Sequence, residues 1–511
     1  MNALWSAISA QLLERSQEPL LVDSHKTLLT YEQADQLSQR LASVLLQSGA
    51  KPRDRVTVQV EKTPQALCLY LGCLRAGLVF HPLNSAYTPS EIQFFVGDAQ
   101  PAVVVCDPEA CKTFEQGLGA DGSAAILTLD RHGNGSLMER ANGLAPQDYS
   151  QPAPEHGSVV EGDKAQAALL YSSGTTGQPK GICLSYQNLA SNAKALIELW
   201  GFKADDCLLH ALPIYHVHGL FVAVHCALLI GARMFWLPHF EAGKAVQALP
   251  DCSVMMGVPT YYTRLLAQED FSADTCERIR LFISGSAPLL SDTFHAFEQR
   301  TGHRILERYG MTETGMSTSN PLRGERRPGT VGLPLPDVSL RVVDDEGKET
   351  AENTPGHLQV RGPNVFTGYW RLPEKNAEAF TADGFFDTGD TASISSDGYI
   401  TLVGRSKDMI ISGGLNVYPV EIEQVINQLA TVKESAVVAR PDADFGEVGV
   451  AFVVRDGSVT EQEVTDHCRE ALANFKVPKQ IQFLDALPRN AMGKVQKNRL
   501  REHLNKSRED R

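Results

Sequence analysis

Apolar positions along the chain switch between two spacings. After Thr30-Tyr-Glu-Gln33, the residues Ala34, Leu37, Leu41, Val44 and Leu45 recur at helical intervals. The threonine with a glutamine three residues on fits a capping box, so a helix is predicted to start there. Val56-Thr-Val-Gln-Val60 then alternates like a strand, and a helix-like stretch runs to about Arg75. Leu78-Val-Phe-His-Pro82 and Ala102-Val-Val-Val-Cys106 read as short buried strands. Helices alternating with short β-branched runs predict an α/β fold built on a parallel, doubly wound sheet. From roughly 128 to 165 Gly, Pro, Ser and charge predominate, as in His132-Gly-Asn-Gly-Ser136 and Gln151-Pro-Ala-Pro154, which predicts a surface connection. The alternation resumes from 166 to about 310. Beyond 330 come shorter strands and Gly/Pro turns, as in Leu358-Gln-Val-Arg-Gly362 and Tyr399-Ile-Thr-Leu-Val403. The last hundred residues read as a small α+β unit. Pro419 opens a helix carrying Ile422, Val425, Ile426 and Leu429, and the strand Ala436-Val-Val-Ala439 follows.

At about 150 residues per domain, 511 residues allow two to four domains. Lys+Arg 47 against Asp+Glu 61 gives a net charge of −14. That balance argues against nonspecific binding to nucleic acid or an anionic membrane. An anionic substrate must then be held by local cations and backbone amides. The 10 cysteines form no C-x-x-C pair; their tightest spacings are Cys68/Cys73 and Cys106/Cys111. They are expected to be reduced core residues of a cytoplasmic protein rather than zinc or disulfide frameworks. The opening Met1-Asn-Ala-Leu-Trp-Ser6 lacks the basic and apolar segments of a signal peptide. The most apolar run, Gly219 to Ile230, contains His225 and is too short to span a bilayer.

Chemistry concentrates where strand-like Ala168-Leu-Leu-Tyr171 runs into Ser172-Ser-Gly-Thr-Thr-Gly-Gln-Pro-Lys-Gly181. Gly174 and Gly177 let backbone amides converge on phosphate oxygens. Ser172, Ser173, Thr175 and Thr176 add hydroxyl donors, and Lys180 adds a mobile positive charge. The loop is not a Walker A motif, because Pro179 precedes the lysine. On composition alone a flexible Ser/Gly surface turn is the alternative.

Tyr171-Ser-Ser-Gly-Thr-Thr-Gly-Gln-Pro-Lys-Gly181 resembles the signature loop of the adenylate-forming superfamily: acyl-CoA synthetases, peptide-synthetase adenylation domains and luciferases. The resemblance recurs in order at Pro213-Ile-Tyr-His-Val-His-Gly219, Ser284-Gly-Ser-Ala-Pro-Leu289, Glu307-Arg-Tyr-Gly-Met-Thr-Glu-Thr314, Gly389-Asp390, Gly404-Arg-Ser-Lys-Asp408 and Pro488-Arg-Asn-Ala-Met-Gly-Lys494. It implies a large N-terminal domain of doubly wound mixed sheets with a small β-subdomain (1–404). A hinge (405–408) and a small mobile α+β C-terminal domain (409–511) would follow. The implied reaction joins ATP to a carboxylate, giving acyl-AMP and pyrophosphate, and then passes the acyl group to CoA. Both first substrates are anions, so their repulsion must be cancelled by preorganised donors.

The resemblance also implies roles. Ser172, Ser173, Gly174, Thr175, Thr176, Gly177 and Lys180 would hold ATP phosphates, with Glu313 and Thr176 as Mg²⁺ ligands. Thr312 would donate to the α-phosphate. Tyr309 and Gly310 would lie along the adenine, walled by Gly285, Ser286 and Ala287. Asp390 and Arg405 would contact the ribose. Lys494 would bridge the carboxylate and α-phosphate, then withdraw with its lobe about Lys407 so that CoA enters past Gly413 and Gly414. His216 would close the carboxylate pocket; His216 and His218 as a metal pair is the alternative.

Within the superfamily the chain is similar to malonyl-CoA synthetases, as in His216-Val-His-Gly-Leu220, Ile279-Arg-Leu-Phe-Ile-Ser-Gly-Ser-Ala-Pro288, Thr318-Ser-Asn-Pro321, Arg361-Gly-Pro-Asn-Val-Phe366 and Gly414-Leu-Asn-Val-Tyr-Pro419. Malonate carries a second carboxylate that is never activated, and burying it unpaired costs about several kcal/mol. Arg280 is the expected partner, with Arg264 and His216 in reserve. Small residues at Gly315 and Ser317 would admit substituted malonates. The competing expectations are a broader short-chain or aryl acyl-CoA synthetase, and an enzyme loading a separate carrier protein. A nucleotide-binding protein without catalysis is opposed by Lys494, Glu313 and Asp390 occurring together. The expected partners are ATP, malonate and CoA, in a cytoplasmic monomer or homodimer. Lys476, Lys479 and Arg489 are candidates for the nucleotide end of CoA.

Overall fold

A computed structural model describes residues 2–24, 26–119, 124–145, 162–172, 179–405, 408–412, 415–442, 445–472, 474–490 and 493–509. The chain divides into two compact units. One comprises 1–328, 334–339 and 361–378; the other comprises 329–333, 340–360 and 379–511.

The first unit carries two mixed sheets. In one, six parallel strands lie in the order Pro19–Val22, Arg233–Trp236, Cys207–His210, Val254–Gly257, Leu281–Ser284 and Leu306–Met311. Antiparallel strands flank them, Thr27–Thr30 beside the first and Gly315–Ser319 beside the last. The other sheet runs Gly368–Tyr369, Lys180–Ser185, Gln166–Ser172, Val79–Pro82, Arg55–Gln59, Val103–Cys106 and Ala125–Thr128. Its last five strands are parallel, and Lys180–Ser185 is antiparallel to both neighbours. The strands Val103–Cys106, Cys207–His210, Val254–Gly257 and Leu281–Ser284 are short and buried at every position, and they read as near-continuous apolar runs. The expected α/β class with mixed sheets holds, as does the capping box of the helix Tyr31–Gln47.

One expectation needs correcting. Within the supposed surface connection, Ser136–Asn142 is a helix. Leu137 and Ala141, four residues apart, bury one face of it. The apolar run from Gly219, read from the sequence only as too short for a bilayer, is not one regular helix. His218–Val224 is a buried π-helical segment continuing into the α-helix His225–Ile230, and such widened turns often mark functional sites.

In the second unit, Ser339–Val343, Gly356–Arg361, Phe386–Ile394 and Ile400–Arg405 lie in that order in one sheet, the last three strands antiparallel to one another in turn. A separate sheet is built on the long antiparallel pair Val432–Asp442 and Gly446–Arg455. Its alternate residues feed two cores. Val437, Ala451 and Val453 face Ile422, Ile426, Val464 and Cys468; Ala436, Val438, Val450 and Phe452 face Leu500 and Leu504. That two-sided burial explains why Ala436-Val-Val-Ala439 is apolar at every position.

Candidate active site

Parallel strands send their carboxyl ends to one edge of a sheet, and ligands of open α/β sheets bind there. In the first unit, neighbouring strand ends deliver three of the quoted motifs to that edge. Cys207–His210 leads to His216 and His218, Leu281–Ser284 to Gly285-Ser-Ala287, and Leu306–Met311 to Thr312 and Glu313. Ser286 holds a left-handed backbone at φ 70° although it is not glycine, a conformation that persists only where surroundings impose it. Its Oγ lies 3.2 Å from His218 Nδ1, which ties two of these loops together. Gly310 begins a tight reversal: a Cβ there would stand 1.9 Å from the Gly315 carbonyl oxygen. Tyr309 beside it is 8% exposed, and Thr312 is half-buried.

Glu313 is 6% exposed. Its backbone carbonyl accepts the Phe366 N–H at 2.7 Å, and its Oε1 accepts the Tyr369 hydroxyl at 3.3 Å. Lys180 Nζ sits 4.8 Å from the centroid of that same tyrosine ring. Of the phosphate loop, the Ser172 backbone pairs with Lys180 across two strands. Ser173, Gly174, Thr175, Thr176 and Gly177 lie outside the described residues, as does the side chain of Ser172.

Arg280 does not fit the role expected of it. It precedes the strand Leu281–Ser284 and so lies at the opposite, amino edge from Gly285 and Ser286. Its guanidinium is committed to Asp206 through Nε at 2.9 Å and Nη2 at 2.5 Å. It also donates to the Trp200 and Gly201 carbonyls. Burial pushes the Asp206 carboxyl up, but the Arg280 and Ser253 bonds outweigh it and hold it below its usual value.

Arg308 has the opposite character. It is 2% exposed, and among the described residues neither Nε nor Nη2 has a hydrogen-bond partner. The guanidinium lies against the bare α-carbon of Gly285, where a Cβ would come within 2.4 Å of Cζ. Burial pulls it down to about 10, so it stays charged at neutral pH. Burial first, then the nearby Arg308, holds His218 well below its usual pKa. Burial pushes His216 down to about 4, leaving a neutral imidazole. The reserve candidate Arg264 is exposed on the helix Pro259–Leu266. Neighbouring Glu307 accepts the Leu289 N–H at 3.0 Å, and burial pushes its carboxyl up to about 8. Sequence reasoning missed Glu307, Arg308 and Tyr369. The signal was two adjacent charges inside an otherwise buried strand, Ile305-Leu-Glu-Arg-Tyr309.

In the second unit, Asp390 stands opposite Arg405 in register, and Arg405 Nε donates to its Oδ1 at 2.7 Å. Lys494 closes a hairpin in which its N–H donates to Asn490 Oδ1 at 2.9 Å. Its side chain reaches solvent. Even so, the atoms crowding the ammonium pull its pKa down, with Arg405 acting the same way and Asp390 and Asp408 opposing. Lys407, Gly413 and Gly414 lie outside the described residues. Lys476 and Arg489 are paired with Glu421 and Glu434, and Lys479 lies over the Phe445 ring at 5.2 Å. No described helix is long and apolar enough to cross a membrane.

The AMP-binding enzyme family matches residues 9–370, and the AMP-binding enzyme C-terminal domain matches residues 421–494. ATP-bound MatB from Rhodopseudomonas palustris is 46% identical with a TM-score of 0.92, over 98% of this chain and 99% of that one. The mitochondrial malonate–CoA ligase ACSF3 of Xenopus laevis is 33% identical over 96% of this chain and 90% of its own length. An indoleacetate–CoA ligase of Aromatoleum aromaticum is also 33% identical, over 93% of each chain.

Proposed function

The chain belongs to the AMP-binding enzyme family, and from that premise we propose that it is an AMP-forming malonate–CoA ligase. A malonate oxygen attacks the α-phosphorus of ATP and the bond to pyrophosphate breaks. The sulfur of CoA, its proton lost, then attacks the acyl carbon and AMP departs. The observation that carries the choice of acid is Arg308. A charged, buried guanidinium whose Nε and Nη2 have no hydrogen-bond partner among the described residues costs about several kcal/mol. A site for indoleacetate or acetate gains nothing from that cost, whereas the free carboxylate of malonate would meet it with a forked ion pair. Both MatB, by its ATP-bound structure, and the Xenopus ligase, by its named acid, support this reading.

In the first step Lys180, with Thr175 and Thr176, offsets the terminal phosphates, and Thr312 donates to the α-phosphate. Tyr309 lies along the adenine against Gly285, Ser286 and Ala287. Asp390, oriented by Arg405, accepts the ribose hydroxyls. Lys494 neutralises the two approaching anions as a compact point charge on a flexible stem. Its departure, with Lys407 as pivot, admits CoA past Gly413 and Gly414. Neutral His216 lines the carboxylate pocket without adding charge. Glu313, a buried carboxylate, would suit Mg²⁺ carried in on the triphosphate, with Thr176 as the second proposed ligand. Bound there, the ion would supply offset of phosphate charge.

The test is pyrophosphate release with malonate, methylmalonate, acetate, benzoate and indoleacetate. Malonate or methylmalonate should give the highest kcat/KM, and R308M should abolish that preference. A preference for a monocarboxylic acid would overturn the reading.

A further inference from the structure

We propose that Tyr369 is a positioning residue that keeps Lys180 and Glu313 apart and correctly turned. The inference rests on the roles proposed above for those two charges. A lysine and a glutamate that share a neighbour in a half-buried site would ordinarily collapse into an ion pair. Such a pair would spend the cation needed by phosphate and the carboxylate needed by the metal. Lys180 makes no ion pair among the described residues. Its ammonium rests instead over the face of the Tyr369 ring, at 4.8 Å from the centroid, an arrangement that holds a cation without neutralising it. The hydroxyl of the same ring donates to Glu313 Oε1 at 3.3 Å and fixes the rotation of the carboxylate about its last torsion.

The tyrosine itself is pinned. Its N–H donates to Asn376 Oδ1 at 2.6 Å and its carbonyl accepts from Asn376 Nδ2 at 3.1 Å. It pairs with Ile182 on the strand that starts at Lys180. Phe366 packs edge-on against the ring with centroids 4.8 Å apart, and its own N–H holds the Glu313 carbonyl at 2.7 Å. Farther back, Asn188 Nδ2 donates to the Pro363 and Val365 carbonyls at 2.9 and 2.7 Å. The segment 363–370 is thus fastened to both elements whose charges it separates.

Isothermal titration of ATP into the full-length protein, with and without Mg²⁺, reads the two functions of the ring separately. Y369F keeps the ring and loses the hydroxyl. It should cut the Mg²⁺-dependent gain in ATP affinity by about three- to tenfold and leave metal-free ATP binding unchanged. Y369L removes the spacer as well and should also weaken metal-free binding, as Lys180 folds onto Glu313. In Y369L/E313Q no carboxylate remains to capture the lysine, so metal-free affinity should return to the wild-type value. If E313Q alone leaves the Mg²⁺ gain intact, the assignment of Glu313 fails and the inference falls with it. If E313Q abolishes the gain while Y369F and Y369L match wild type, only the inference about Tyr369 is overturned. Should Y369L fail to fold, the Y369F titration decides alone.

Discussion

Two arginines on neighbouring strands of one sheet have opposite settings. Arg280 at the amino edge has a forked carboxylate, two carbonyls and partial access to solvent. Arg308 at the carboxyl edge is more deeply buried and has neither an acid nor a carbonyl on Nε or Nη2 among the described residues. Water-deprived charges are expensive, so a fold that leaves one unmatched sacrifices stability at that point. The same sheet shows that it can supply a partner, because it does so for Arg280. The contrast teaches that the informative charge is the one left with unpartnered nitrogens among the described residues, not the one with the better ion pair.

Paired substitutions should separate the two settings. R308M is expected to lower kcat/KM for malonate by about 10²–10³-fold, the scale of losing one side of a buried, hydrogen-bonded charge pair. Its melting temperature should hold or rise, since a costly buried charge is gone. A smaller effect of opposite kind is expected for R280M. It strands Asp206, whose side chain is only 4% exposed, and should lose about 3 kcal/mol of stability with little change in kcat/KM at a temperature where it remains folded. Denaturant titration and pyrophosphate release on both variants check the pattern. If R280M loses malonate turnover and R308M loses stability, the assignment of the two edges is reversed.

The mistaken choice of Arg280 shows where the sequence stops being readable. Period and capping placed the helix Tyr31–Gln47 and short strands such as Arg55–Gln59, Val79–Pro82 and Val103–Cys106, because those signals are local. The loop motifs were legible as spaced strings, and the fold collects His216, Gly285 and Thr312 at one sheet edge as parallel strands must. Whether an arginine is paired depends on a residue dozens of positions away, such as Asp206 for Arg280, and no local pattern encodes that. Tyr369 was invisible for the same reason. It acts on Lys180 and Glu313 across two strand connections, and beside Trp370 it reads as one more apolar residue.

The finest distinction is between Arg308 and its neighbour Glu307, which share a strand but titrate differently. Burial raises Glu307 from 4.5 to about 8, while the Leu289 N–H and Arg308 act against that rise. The folded state therefore holds this proton more tightly than the unfolded chain. Its stabilising contribution is complete below pH 4.5 and is lost as pH rises through about 8. E307Q mimics the protonated side chain, so its stability should be flatter with pH across that window, measured by urea unfolding from pH 5 to pH 9. The amide oxygen can still accept the Leu289 N–H, so KM for ATP at pH 7 should change by less than about twofold. In R308M the opposing cation is absent, and the pH at which the wild-type carboxyl ionises should move upward. An unchanged ionisation pH would mean that Arg308 is not close enough to feel the charge beside it, and with that the case for its guarding the carboxylate pocket would weaken from the protein's own side.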